Sequence, residues 1–179
     1  RVAVLDEEGI ERSLLFPSMY LLSGDIADVE VAAAACHAYN EWISDMCRDG
    51  SGRLDAVGLV PLQSVAAATK EVAHIAQLGL KGVLFRPERY NGLALHDAAL
   101  APFWNAVADQ GLFAAVHGSF GAHMPSFANS RYTDTFFTHM VCHPFEQMAA
   151  CLDLVCGGVL QRHPGLRVAF LESGLGWLE

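Results

Sequence analysis

Short apolar runs alternate along this chain with longer segments in which apolar residues recur every three or four positions. The short runs lie at 11–16, 53–62, 81–87, 112–118 and 167–173. Runs that are apolar almost throughout are typical of parallel strands covered on both faces. The alternation therefore predicts one α/β domain built from consecutive strand–helix units.

Helical periodicity connects the predicted strands. The segments that show it are 28–47, 65–79, 100–111 and 144–165. In the first segment, the apolar face is predicted to contain Val31, Ala35, Ala38, Trp42 and Met46. Ser64 is placed to cap the second helix and Gly79 to end it. The last helix is predicted to begin with Pro144 at its first position, which makes His143 its N-cap.

Two architectures fit this order: an open doubly wound sheet and a (β/α)8 TIM-like barrel. No Gly-x-Gly-x-x-Gly follows the first strand, which weakens a nucleotide-binding doubly wound sheet. Polar residues stand where successive strands end, among them Gln63, Arg86, His117 and Glu172. The carboxyl ends of barrel strands converge on one mouth, where barrel active sites lie. This pattern favours the barrel.

Composition and charge exclude several classes of protein. The 179 residues are 53% hydrophobic and 17% charged, which indicates a globular domain, and the net charge of −9 argues against nucleic-acid binding. No apolar run is long enough to span a membrane, and no signal peptide is visible. The five cysteines include no Cys-x-x-Cys pair, so we expect unpaired thiols and a cytoplasmic location.

Histidine and arginine side chains supply the first candidate site residues. His117 ends the fourth strand beside Gly118, and it is either a ligand or catalyst at the mouth or a cap that bonds a nearby carbonyl. Arg86 ends the third strand, where its guanidinium would grip a substrate carboxylate or pair with Glu88. Four other histidines lack partner spacing and are interpreted as structural or exposed: His37, His74, His96 and His163.

Several motifs together resemble the amidohydrolase-related (amidohydrolase 2) family of metal-dependent enzymes, which includes aminocarboxymuconate semialdehyde decarboxylase. They are LDEEGIERSLLF, YNEWISDMC, GLKGVLFRP, VHGS, CHPFEQM and GGVLQRHPGLRVAFLESGLGWL. The resemblance implies a (β/α)8 barrel with one divalent metal, usually zinc, at its mouth. His117 matches the family's histidine ligand at the end of its fifth strand. The chain would then cover roughly strands 2 to 6.

The chain also departs from the family pattern. The first-strand His-x-His and the eighth-strand aspartate are not found, so the remaining metal ligands are expected outside these 179 residues. Where the decarboxylase branch has a histidine after its sixth strand, this chain has Glu172. Glu172 would act as general acid or base, or as a structural carboxylate at the next helix start. His143 would lie at the mouth as a second proton carrier, or serve only as a cap.

Residues 119–142 are predicted to form a long loop on the active-site face, rich in aromatic residues. It would serve as a lid or as a contact in a homo-oligomer. The sequence thus predicts a metal-dependent enzyme acting on a small carboxylated organic molecule, by hydrolysis or by non-oxidative decarboxylation. The alternative is a catalytically incomplete barrel fragment that acts as a binding or assembly module.

Overall fold

The structure is a computed structural model, and it describes residues 1–118 and 125–178. Five parallel strands form one sheet: β1 Ser13–Leu15, β2 Leu54–Leu59, β3 Gly82–Phe85, β4 Phe113–His117 and β5 Val168–Leu171. Their spatial order is β1-β2-β3-β4-β5. Each strand therefore pairs with its successor, as in a barrel, whereas a doubly wound sheet reverses its order partway. The predicted partial barrel is confirmed.

Helices connect the strands. They are α1 Val2–Glu7, α2 Val29–Arg48, α3 Val65–Gln77, α4 Ala101–Asp109, α5 Thr135–Val155 and α6 Val159–Arg162, with 3₁₀-helices at Met19–Asp25 and Ala98–Leu100. The N-caps follow the local sequence signals. The Asp28 side chain accepts hydrogen bonds from two N–H groups of α2, and the predicted cap Ser64 accepts one from α3. No helix within the described residues is long and apolar enough to cross a membrane.

The predicted buried face of α2 is wrong, although the helix itself is correct. Val31 and Trp42 are 55% and 54% exposed. The residues that α2 buries lie one or two positions further along the chain: Ala32, Cys36, Tyr39, Asn40, Ile43 and Ser44. The segment is rich in alanine, which fits either face, so its periodicity does not determine the orientation. Packing against β2 selects the face that carries Asn40 instead.

The predicted start of the last long helix is also wrong. α5 begins at Thr135, and Asp134 caps it by accepting hydrogen bonds from the N–H groups of Phe136 and Phe137. Pro144 therefore lies inside α5, and His143 is a helical residue, not an N-cap. A proline inside a helix removes one hydrogen bond, and the Asp134 cap together with the buried face of α5 offsets that loss. The loop before this helix accordingly ends at 134.

The core lies between the sheet and the helices that cover its outer face. Strand residues such as Val83 and Val116 are fully buried within it. Phe85 contacts Phe103 and Trp104 edge-on, with ring centroids 5.8 and 5.6 Å away. These contacts hold β3 against α4 and so fix the strand ends from which the candidate site projects.

Candidate metal centre

Three residues from separate elements meet at the carboxyl end of the sheet. His117 is the last residue of β4, His143 lies in α5, and Glu172 follows β5 directly. One ligand atom from each lies within 4.8 Å of the others. Glu172 Oε1 is 3.7 Å from His117 Nε2, and Glu172 Oε2 is 3.4 Å from His143 Nε2. Donor atoms around a tetrahedral zinc lie about 3.3 Å apart, so this spacing is near that of a metal shell.

The His117 ring is oriented by the backbone of the next residue. Its Nδ1 lies 2.5 Å from the carbonyl oxygen of Gly118, which can only accept, so Nδ1–H donates. In the neutral ring, the lone pair is then on Nε2, which faces Glu172. Metal-binding histidines commonly use this arrangement, in which a carbonyl fixes the tautomer. The His117 side chain therefore fits a divalent metal.

His143 is fixed differently. Its Nδ1 lies 3.1 Å from Sγ of Cys142, and burial raises the pKa of that thiol to about 11, so the sulfur stays protonated. The thiol proton has a second acceptor, the His139 carbonyl at 3.5 Å, but Nδ1 is nearer. A thiol that donates to Nδ1 leaves the ring proton on Nε2, directed at Glu172. Burial also lowers the pKa of His143, against the opposing influence of Glu172.

Glu172 has an unusual backbone. Its φ is +55°, in the left-handed region that non-glycine residues seldom adopt. The turn begins immediately after β5 and brings the carboxylate to both imidazoles. The side chain is 67% exposed, so it links the two buried histidines to solvent. Such conformations cost of order 1–3 kcal/mol and cluster at functional sites.

Gln147 supports this arrangement, and sequence reasoning missed it. Its side chain is fully buried, and Nε2 donates to the carbonyl oxygens of Val116 at 2.9 Å and Leu171 at 3.1 Å. Those residues directly precede His117 and Glu172. One amide thus holds the strand ends that carry two of the three site residues. The only signal in the sequence was a polar residue beside Glu146, one helical turn after His143.

Arg86 lies at the carboxyl end of β3, as predicted, but its guanidinium is engaged. Nε and Nη2 donate to the two carboxylate oxygens of Glu88 at 3.1 and 2.5 Å, and Nη1 is 3.8 Å from Asp25. Burial alone would lower the pKa of Arg86, but Glu88, the largest opposing influence, together with Tyr90 and Asp25 raises that pKa. This is the ion pair that the sequence offered as the alternative to substrate binding. Arg86 as a substrate ligand stays a prediction.

The predicted active-site loop is described only in part, because 119–124 lie outside the described residues. Its second part, 125–134, packs on α5. The Phe127 N–H donates to the Glu146 carboxylate, and the Phe127 ring stacks on Phe145 at 5.1 Å. The guanidinium carbon of Arg131 lies over the Phe127 ring, 5.1 Å from its centroid. This part of the loop is therefore anchored to the helix that carries His143; its use as a lid or oligomer contact stays a prediction.

Comparison with known proteins gives a consistent result. Residues 4–179 match the protein family described as Amidohydrolase. A curated relative, 2-amino-3-carboxymuconate-6-semialdehyde decarboxylase of Dictyostelium discoideum, is 23% identical over 175 residues. That match covers 97% of this chain and 47% of the relative.

Solved structures share the fold. The crystal structure of 5-carboxyvanillate decarboxylase from Sphingomonas paucimobilis matches with a TM-score of 0.79 and 20% identity, over 94% of this chain and 49% of that one. The enzyme of the same name from Novosphingobium aromaticivorans, solved with bound manganese and 3-methoxy-4-hydroxy-5-nitrobenzoic acid, matches with a TM-score of 0.75 and 20% identity. That match covers 94% of this chain and 47% of the other. The chain thus spans about half the length of these relatives.

Proposed function

This chain belongs to the amidohydrolase family, and on that premise we propose that the whole protein is a divalent-metal-dependent, non-oxidative decarboxylase of a small aromatic carboxylate. The curated relative and several of the matching solved structures are named as decarboxylases, which favours this reaction over hydrolysis. One of them was solved with manganese and a nitrobenzoic acid, which supports both the metal and the class of ligand. Zinc remains a candidate metal because imidazole and carboxylate are ligands that it accepts.

The observation that carries the proposal is the convergence of His117, His143 and Glu172 at the carboxyl end of a parallel sheet. Barrel enzymes have their chemistry at this end. The two imidazoles are oriented by different partners, Gly118 and Cys142. As a result, His117 presents the lone pair of Nε2 to the Glu172 carboxylate, and His143 presents Nε2–H. We assign His117 as a metal ligand, and His143 and Glu172 as the proton carriers.

A bound divalent metal would act as a Lewis acid that holds and polarises the substrate. His117 would contribute Nε2 to that metal, with its ring held by the Gly118 carbonyl. Gln147 would keep the β4 and β5 ends at a fixed separation, so that His117 and Glu172 face the same space. The ligands that the family resemblance implies from the first and eighth strands, outside these 179 residues, would complete the shell.

The proton balance of decarboxylation requires a donor. The bond from the ring carbon to the carboxylate breaks, carbon dioxide leaves, and the electron pair stays on carbon. That carbon must then take a proton, which the imidazolium form of His143 would supply from Nε2, leaving the neutral ring. Glu172, with its carboxylate 3.4 Å from that nitrogen and its side chain exposed, would return a proton from solvent.

Arg86 is proposed to bind the substrate carboxylate by exchanging Glu88 for it, because both anions fit the same fork. Arg86→Lys tests this role, since lysine keeps the charge but loses the bidentate geometry. We expect KM to rise more than kcat falls. If Arg86 has only a structural role, Arg86→Lys should instead lower the stability of the protein and leave KM unchanged.

The test of the function uses the whole protein, stripped of metal with a chelator and reloaded with manganese or zinc. Release of carbon dioxide is measured with 5-carboxyvanillate and a panel of hydroxylated benzoates, and hydrolysis with their amides and esters. We expect metal-dependent decarboxylation of at least one benzoate, lost in Glu172→Gln. If only the amides or esters are turned over, the proposed reaction is wrong and the protein is a hydrolase. No turnover with any metal would support the binding-module alternative.

A further inference from the structure

A second cluster of metal-ligand side chains lies outside the sheet, between helices α2 and α3. His37 and Glu41 are four residues apart on α2, and Glu71 and His74 are three residues apart on α3. These spacings place each pair on one face of its helix. The helices pack so that the two faces meet, and one ligand atom each of His37, Glu71 and His74 lies within 4.8 Å of the others.

Two donor pairs of the cluster have about the spacing of a zinc shell, and Glu41, which lies outside the three donors that are mutually within 4.8 Å, can reach them by turning its half-exposed side chain. His37 Nδ1 is 3.3 Å from Glu71 Oε2, and His74 Nε2 is 3.0 Å from Glu41 Oε1. Tetrahedral zinc with ligands at 2.0–2.1 Å separates its donors by about 3.3 Å. The two imidazole rings lie face to face, with centroids 4.3 Å apart and an interplanar angle of 25°. Because the in-plane lone pairs of stacked rings run side by side, one ring must turn about its side-chain bonds for both to bind the same ion.

One carboxylate of the cluster is held by a buried amide. Asn40 is fully buried, and it bonds both the N–H and the carbonyl of Leu59 in β2. Its Nδ2 also donates to Glu71 Oε1 at 2.8 Å, which leaves Oε2 directed at His37. A ligand whose second oxygen is fixed to the core in this way is a recurrent feature of metal sites. Glu71 is thus oriented by the sheet and not only by its neighbours on the surface.

The His74 ring supplies an atom that this network does not satisfy. Its Nε2 is buried and has no hydrogen-bond partner among the described residues, since Glu41 lies at ion-pair distance but outside hydrogen-bond alignment. The cluster opens into a cavity of about 550 Å³ whose other walls are largely alanine side chains, so an ion has room to enter. Lys70 lines the same cavity but is exposed, and its ammonium can remain in solvent.

We propose that His37, Glu71 and His74, with Glu41 as a fourth ligand, form a structural zinc site that joins α2 to α3. Two neutral imidazoles and two carboxylates carry a net charge of −2, which a divalent cation neutralises. The mixed nitrogen and oxygen donors fit zinc, and a shell closed by four protein ligands is typical of a structural site. The site is separate from the mouth, because its residues lie in the outer helical layer and not at the strand ends.

The experiment measures zinc per chain in the whole protein by mass spectrometry after equilibrium dialysis at a fixed free zinc concentration. We expect His37→Gln and His74→Gln each to bind one equivalent less than the unaltered protein. His117→Ala should lose a different equivalent, so that the His74→Gln/His117→Ala double variant loses two. Since His37 is 53% exposed, the glutamine variant there should keep its far-ultraviolet circular dichroism.

His96→Gln is the matched control. His96 also pairs with a carboxylate, with Nδ1 2.8 Å from Asp153, but no third donor joins them among the described residues. It should bind as much zinc as the unaltered protein. Cobalt added to the His117→Ala protein should give the absorption bands of tetrahedral cobalt, and these should be absent once His74 is also replaced. Equal zinc content in the His37→Gln, His74→Gln and unaltered proteins would overturn the proposal, as would an equal loss in His96→Gln.

Discussion

Arg86 and Glu88 form a buried ion pair whose energy can be measured directly. Their side chains are 2% and 1% exposed, and two hydrogen bonds join them. Arg86→Met would leave the Glu88 carboxylate buried without its partner, which costs about 3–5 kcal/mol. Glu88→Gln should cost less, about 2–3 kcal/mol, because Asp25 still lies 3.8 Å from the guanidinium. The double variant removes both charges, so it should cost at least about 2 kcal/mol less than the sum of the single variants.

The free energy of unfolding of each variant of the whole protein would be measured by urea denaturation. Arg12→Met is the matched control, since Arg12 pairs with Asp55 at 3.0 Å on the surface, and we expect it to cost less than about 1 kcal/mol. A cost below about 1 kcal/mol for Arg86→Met, or additive costs in the double variant, would refute the claim that this pair is desolvated and coupled.

Three further predictions concern the strand ends and the sheet. Gln147→Leu removes two hydrogen bonds and should cost about 1–3 kcal/mol in urea unfolding, with a fall in kcat; an unchanged kcat would contradict its positioning role. Glu172→Gln should lower kcat at least about tenfold while metal content, measured by mass spectrometry, stays constant; retained turnover would exclude proton transfer by this carboxylate. Gly82→Ala should cost about 1–3 kcal/mol, because its Cβ would lie 2.7 Å from the backbone oxygen of Phe113, and a variant of unchanged stability would show that β3 and β4 can separate there.

The sequence predicts the strands and their order well because five apolar runs separated by helical segments leave few arrangements. It also brings His117 and Glu172 to one end of the sheet, since parallel strands share their direction. It fails where local patterns are ambiguous. The α2 segment is rich in alanine and offers more than one apolar face, and the buried one also places Asn40 against Leu59 of β2.

The start of α5 shows a second kind of failure. Two signals compete, Asp134 as a cap and Pro144 as a first-turn residue, and the structure follows the cap. A sequence pattern cannot weigh the loss of one hydrogen bond at Pro144 against the burial of a whole helix face. The cluster between α2 and α3 could not be predicted for another reason. His37 and His74 meet only because the two helices pack together. Two residues so far apart along the chain form no periodic pattern from which their contact could be predicted.

The most direct test of the central claim is the metal content of the whole protein with His117→Asn, made in a His74→Gln background so that only the mouth can load. His163→Asn in the same background is the control, since His163 lies at the end of α6, away from the strand ends. The account predicts about one equivalent of zinc or manganese in the control and almost none in His117→Asn. Decarboxylation should be lost with the metal while circular dichroism stays unchanged. A full equivalent of metal in His117→Asn would contradict the assignment of His117 as a ligand.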